Sequence, residues 1–134
     1  MKYYTFNSQF NAPILNRIKV GTIRSHAKVS PGERFALRHW LDEPYRTSIG
    51  WLGSAVCVRV RRIRIWCNRN MFVEIDGKML DFEEVSRLAY REGFIDRYTM
   101  EQWFMEKHNI EVKPLNAVLT EWDPSTFIAG EAQS

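Results

Sequence analysis

Cysteine and histidine are scarce in this sequence, with two and three residues respectively, and their placement removes several classes of chemistry. Cys57 and Cys67 fall in one strand-like stretch, where an extended chain would hold them roughly 33 Å apart. They cannot pair unless the strand folds back, and neither has the companions of a metal site. His26, His39 and His108 show no ligand spacing. No metal ligand and no cofactor is therefore assigned, and the thiols read as buried or half-buried groups of a reducing compartment. Long apolar runs are missing too: none approaches the ~18 residues of a membrane-spanning helix. The opening "MKYYTFNSQF" lacks the charged-then-apolar plan of a signal peptide, so the expected location is cytoplasmic. Internal repeats and low-complexity blocks are also absent.

What remains is an ordinary globular composition, 45% hydrophobic and 26% charged over 134 residues. That length points to one domain, placed at residues 1–124, with 125–134 as a flexible polar tail. Charge is unevenly distributed. Residues 1–70 carry 13 Lys and Arg against 3 Asp and Glu, whereas residues 71–134 carry 6 against 13. A positive face of this kind most commonly meets a phosphate backbone.

Periodicity predicts a mixed α+β fold. "KYYTF" reads as a strand, and "NSQFNAPILNRI" as a short helix with Pro13 in its first turn. "GTIRSHA" is strand-like, and Pro31-Gly32 turns the chain into a strand carrying Phe35 and Leu37. In "WLGSAVCVRVRRIRIWCNRN" the apolar phase changes at Arg61-Arg62. A β-bulge there would place all the arginines on one solvent face. Asp76-Gly77 is a hairpin signal. Asp81 with Glu84, and Thr99 with Gln102, resemble capping boxes of two helices. "PLNAVLTEW" is the expected closing strand.

The first of those helices raises a specific question. Its stripe of Phe82, Val85, Leu88 and Ala89 continues to Glu92, just before Gly93. A carboxylate on the buried phase, at the helix end where the dipole disfavours negative charge, needs a cationic partner.

Lys19-x-x-Thr22-x-Arg24, then Ser30-Pro31-Gly32-Glu33, then Ala89-Tyr90-Arg91-Glu92-Gly93-Phe94 and a strand into Asp123-Pro124 resemble the ASCH family of the PUA-like superfamily. The likeness spans nearly the whole chain in order. It implies a small mixed β-barrel of about five or six strands with flanking helices, and a cleft lined by the Lys-x-x-Thr-x-Arg segment. It also implies RNA-related function. Small bacterial members similar at these positions are amidohydrolases of N(4)-acetylcytidine, and the resemblance carries their lysine, threonine and glutamate onto Lys19, Thr22 and Glu92. Another member is described as a metal-assisted ribonuclease, so fold alone does not set the reaction. This chain departs from the pattern at Arg17, where many members have glycine. Its middle, about residues 40–80, is longer and richer in Trp and Arg.

The residue chemistry allows two uses of the same cleft. In an amidohydrolase Thr22 is the nucleophile, Lys19 a base if its pKa falls from ~10.4 towards neutrality, and Glu92 an orienting group or proton shuttle. Arg24 would bind phosphate or stabilise an oxyanion. An ionised Glu92 beside Lys19 would oppose that shift. In a binding protein, Arg17, Arg24, Arg59, Arg61, Arg62 and Arg64 would neutralise phosphates while Trp40, Trp51 or Trp66 stack on bases of single-stranded RNA or a modified nucleoside. A non-catalytic protein-interaction module built on the arginine-rich middle is the remaining alternative.

Overall fold

The computed structural model describes residues 1–43 and 45–130. Seven strands form one mixed sheet: β1 (Tyr3–Phe6), β2 (Gly21–Arg24), β3 (Arg34–Trp40), β4 (Ile49–Asn68), β5 (Asn70–Ile75), β6 (Lys78–Met79) and β7 (Leu115–Ala129). The helices are α1 (Asn11–Leu15), preceded by a 3-10 turn at Ser8–Phe10, then α2 (Phe82–Arg91) and α3 (Arg97–His108). No helix among the described residues is long and apolar enough to cross a membrane.

The ladders run β1-β3-β4-β5-β6, and β7 joins β4 to β2. Only β1 and β3 are parallel; every other pair is antiparallel. Among the described residues the sheet does not close into a barrel through backbone pairing. Instead the Arg24 side chain spans from β2 to β1, its Nη2 donating to the Thr5 carbonyl at 2.9 Å. A polar side chain therefore links the two strands beside the site.

Local chemistry explains most of the element ends. Asp81 accepts from the Glu84 N–H at 2.8 Å, and Glu84 accepts from the Asp81 N–H at 3.0 Å, a complete capping box for α2. Gly93 follows α2 at φ 90°, a left-handed position that a side chain would strain. Asp76 and Gly77, both at positive φ, turn β5 into β6 with Ile75 opposite Lys78. The second capping box is misplaced by the spacing argument: α3 starts at Arg97, and Asp96, not Thr99, is its cap, accepting from the Thr99 N–H at 2.8 Å.

The long strand also departs from its expected register. The irregularities in its pairing with β7 lie between Ser54 and Val56 and between Cys57 and Arg59; from Arg59 to Ile65 the pairing is continuous. With no break at Arg61-Arg62, Arg59 and Arg61 keep the face of buried Ile63 and Ile65, and Arg62 and Arg64 take the other. The arginines do not share one solvent face. At the far end, β7 runs past the expected tail boundary to Ala129, where Ile128 and Ala129 pair with Ser54 and Gly53; residues 131–134 lie outside the described residues.

Buried apolar residues make one cluster between sheet and helices. Tyr4, Phe6, Phe35 and Trp122 meet edge to face at 5.5–6.2 Å along the sheet. Phe10, Phe94 and Trp103 form a second aromatic group beneath α2 and α3. Between these two groups the chain buries a lysine and a glutamate.

Candidate functional site

Three short segments build the site. The exit of α1 turns through Arg17, at φ 61°, and delivers Lys19 inward. Strand β2 then brings Thr22 and Arg24, and the end of α2 brings Glu92. The Val20 N–H donates to the Arg91 carbonyl at 2.8 Å, tying the entry of β2 to the end of α2. Lys19, Thr22 and Glu92 are all at least 96% buried, yet they line one cleft of about 880 Å³ together with Arg24.

Glu92 has the partner that its helix position demanded. Lys19 Nζ lies 3.8 Å from Glu92 Oε1 and donates to the Glu92 backbone carbonyl at 2.7 Å, so one ammonium serves both the carboxylate and an orphan carbonyl of the helix end. Phe10 and Phe6 surround it, with Nζ 4.6 Å and 5.5 Å from their ring centres. Gly21 makes this approach possible: a Cβ there would collide with Glu92 Oε2.

Burial weakens both charges. It pulls Lys19 down to about 8 against the raising effect of Glu92, with Arg24 adding a smaller downward push. Burial likewise pushes Glu92 up to about 7, opposed mainly by Lys19 and assisted by Glu121. Both shifts run towards the neutral pair, so burial narrows the preference for the proton on the amine over the carboxylate. The opposition between an ionised Glu92 and a neutral lysine base is relieved when Glu92 holds the proton.

Thr22 lines the same cleft as this pair, as a hydrogen-bond acceptor. Arg24 Nε donates to Thr22 Oγ1 at 2.9 Å, which leaves the hydroxyl hydrogen free for another partner. Burial also lowers the Arg24 pKa from its ordinary value. Its guanidinium packs over Phe6 and Tyr4 at 5.1 Å and 5.5 Å.

The other nominated residues separate. Trp40 lines the Lys19 cleft, whereas Trp51 lies exposed beside Arg38 and Trp66 stacks on Phe72 at 5.7 Å, both outside it. Arg17 donates to the Phe127 carbonyl at 3.4 Å and is not part of the cleft wall. Arg59 and Arg61 bind the buried Glu121 carboxylate at 2.7 Å and 2.6 Å. Arg64 faces Glu74 at 3.9 Å, and Arg62 is not part of the cleft wall.

Several cleft residues carried no sequence signal as a group. Lys28, Arg38, Arg46 and Lys107 add positive charge to the wall, and Trp103 adds a second indole. Tyr4 hydroxyl bridges Thr120 at 3.3 Å and the Lys28 N–H at 3.0 Å. Among the described residues no cluster of His, Cys, Asp and Glu is arranged to hold a metal ion. No family model matches the chain, and comparison with curated proteins and with solved structures returned no significant match.

Proposed function

We propose that this chain is an ASCH-type protein of the PUA-like superfamily. Its Lys19 cleft would take a modified nucleoside, free or unpaired in single-stranded RNA, and hydrolyse an acyl amide on the base. One observation carries this reading: the buried Lys19–Glu92 pair, with Lys19 near 8 and Glu92 near 7, opens onto the same cleft as the Thr22 hydroxyl held by Arg24.

The reaction follows from where the proton sits. With it on Glu92, Lys19 is a neutral amine that takes the Thr22 proton as Oγ1 attacks the amide carbonyl. The Arg24 guanidinium supports the developing negative charge. Glu92 gives its proton to the departing base nitrogen, the C–N bond breaks, and an acyl ester remains on Thr22. Water then cleaves that ester, releasing the carboxylic acid and returning the hydrogen to Thr22. The pair is left with its charges on Lys19 and Glu92, from which the proton transfers back.

A second reading has a specific observation in its favour. Lys28, Arg38, Arg46 and Lys107, with Trp40 and Trp103, give the cleft wall the cationic and aromatic character of a single-stranded RNA site without requiring turnover. Incubation with N(4)-acetylcytidine, alone and within a single-stranded RNA, separates the two. Hydrolysis predicts cytidine formation that Lys19→Ala and Thr22→Ala abolish while remaining folded. RNA binding that falls steeply with salt, with no cytidine above those variants, would select the binding reading.

A further inference from the structure

A second cleft of about 800 Å³ shares no lining residue with the first. The two meet at the end of α2, where Arg91 lines the second and Glu92 the first. The second cleft is unusually rich in arginine. Arg59, Arg61, Arg87, Arg91 and Arg97 line it against two carboxylates, Glu84 and Asp96. Both carboxylates are engaged in capping, Glu84 accepting from the Asp81 N–H at the start of α2 and Asp96 from the Thr99 N–H at the start of α3.

Behind this wall the buried Glu121 holds two of the arginines and lies near a third. Arg59 binds it through Nε at 2.7 Å and Nη2 at 3.2 Å, and Arg61 through Nη2 at 2.6 Å. Arg91 comes only to 3.9 Å, beyond hydrogen-bond distance. One carboxylate neutralises one guanidinium, so this cluster keeps positive charge and spare N–H donors facing the cleft. Glu121 also fixes the planes of Arg59 and Arg61, which reduces the ordering cost of binding an anion.

Aromatic rings share the cleft with that charge. Phe82, Tyr90 and Tyr98 line the same cleft and are 53–61% exposed. Arg97 lies 3.9 Å over the Phe82 ring and holds it. A ligand that satisfies both features carries a multiply charged oxyanion joined to a planar group.

We propose that the second cleft binds a nucleotide, with its phosphate on Arg59, Arg61 and Arg91 and its base against Tyr90, Phe82 and Tyr98. The site stands independently of the chemistry proposed for Lys19. It accounts for the arginine run of β4 as two separate surfaces, of which only the Arg59 and Arg61 face binds phosphate at this cleft.

Residue-resolved amide NMR on the full chain, titrated with cytidine monophosphate, cytidine, inorganic phosphate and O-phosphotyrosine, tests this assignment. Cytidine monophosphate should shift the amides of Phe82, Tyr90, Arg91 and Tyr98, and bind about 10-fold more tightly than cytidine or inorganic phosphate. Arg91→Gln, which leaves Glu121 its two close partners, should weaken that binding about 10-fold. Tyr90→Ala should weaken it as well, and Arg62→Gln, an equal loss of charge, should not. Shifts confined to Thr22 and Arg24, equal affinity for inorganic phosphate, preference for O-phosphotyrosine, or equal effects of Arg62→Gln and Arg91→Gln would each overturn the nucleotide site. Because this readout is binding at the second cleft, it is separate from cytidine release at the first.

Discussion

Replacing Lys19 by Met keeps most of the aliphatic stem and removes the charge, and its effect should depend on pH in a defined way. In the folded protein Lys19 loses its proton near 8, whereas its ordinary value is 10.5. Between those two values the unfolded chain binds more protons than the folded one, so stability rises with pH across this window. Glu92 behaves in the opposite sense. Its pKa is about 7 in place of 4.5, so the folded chain binds more protons between those values and stability falls as pH rises through them. Each limb spans roughly 3–4 kcal/mol at most, from ~1.4 kcal/mol per pKa unit. The pair therefore contributes a trough of stability between pH 7 and 8. Lys19→Met should erase the alkaline rise. It should also prolong the acid-side fall beyond pH 7, because Glu92 loses the cation that lowers its pKa. Urea unfolding of both proteins from pH 5 to 10 measures this directly. A difference between them that does not change with pH would refute the assigned ionisation of the pair.

Two further substitutions test the surroundings of that pair. Gly21→Ala puts a Cβ where Glu92 Oε2 now lies, so Glu92 should be displaced and the fold destabilised by about 1–3 kcal/mol, read by thermal unfolding. An unchanged melting temperature would contradict the close approach. Glu121→Gln removes a charge that raises Glu92, so the Glu92 limb of the stability profile should move to lower pH; an unmoved limb would show that the two carboxylates are not coupled.

The parts of the site governed by local periodicity were the most legible in the sequence. Glu92 lies on the phase of Val85 and Leu88, and helix electrostatics alone required a cationic partner for it. That Lys19 is this partner came from the resemblance, because the pairing spans 73 residues. Glu121 shares the alternation of buried Ala117 and Leu119 on β7, so its burial could have been read from the same pattern. Its capture of Arg59 and Arg61 could not, since that depends on the register between β4 and β7. The bulge was misplaced for a related reason. A phase change in one strand does not reveal where its register against the partner shifts, and here β4 itself carries the extra residue, Val58, between Cys57 and Arg59, with a second irregularity between Ser54 and Val56. The Arg24 link from β2 to β1 is likewise a long-range contact without a motif of its own.

The central proposal is that a proton passes between Lys19 and Glu92 in the cleft where Thr22 acts as nucleophile. The most direct test is the pH dependence of kcat/KM for cytidine release from N(4)-acetylcytidine. A neutral Lys19 and a protonated Glu92 acting together predict a bell with limbs near 7 and 8. They also predict no release by Thr22→Ala or Lys19→Ala. Absence of release at every pH, or the same profile in either variant, would contradict the account.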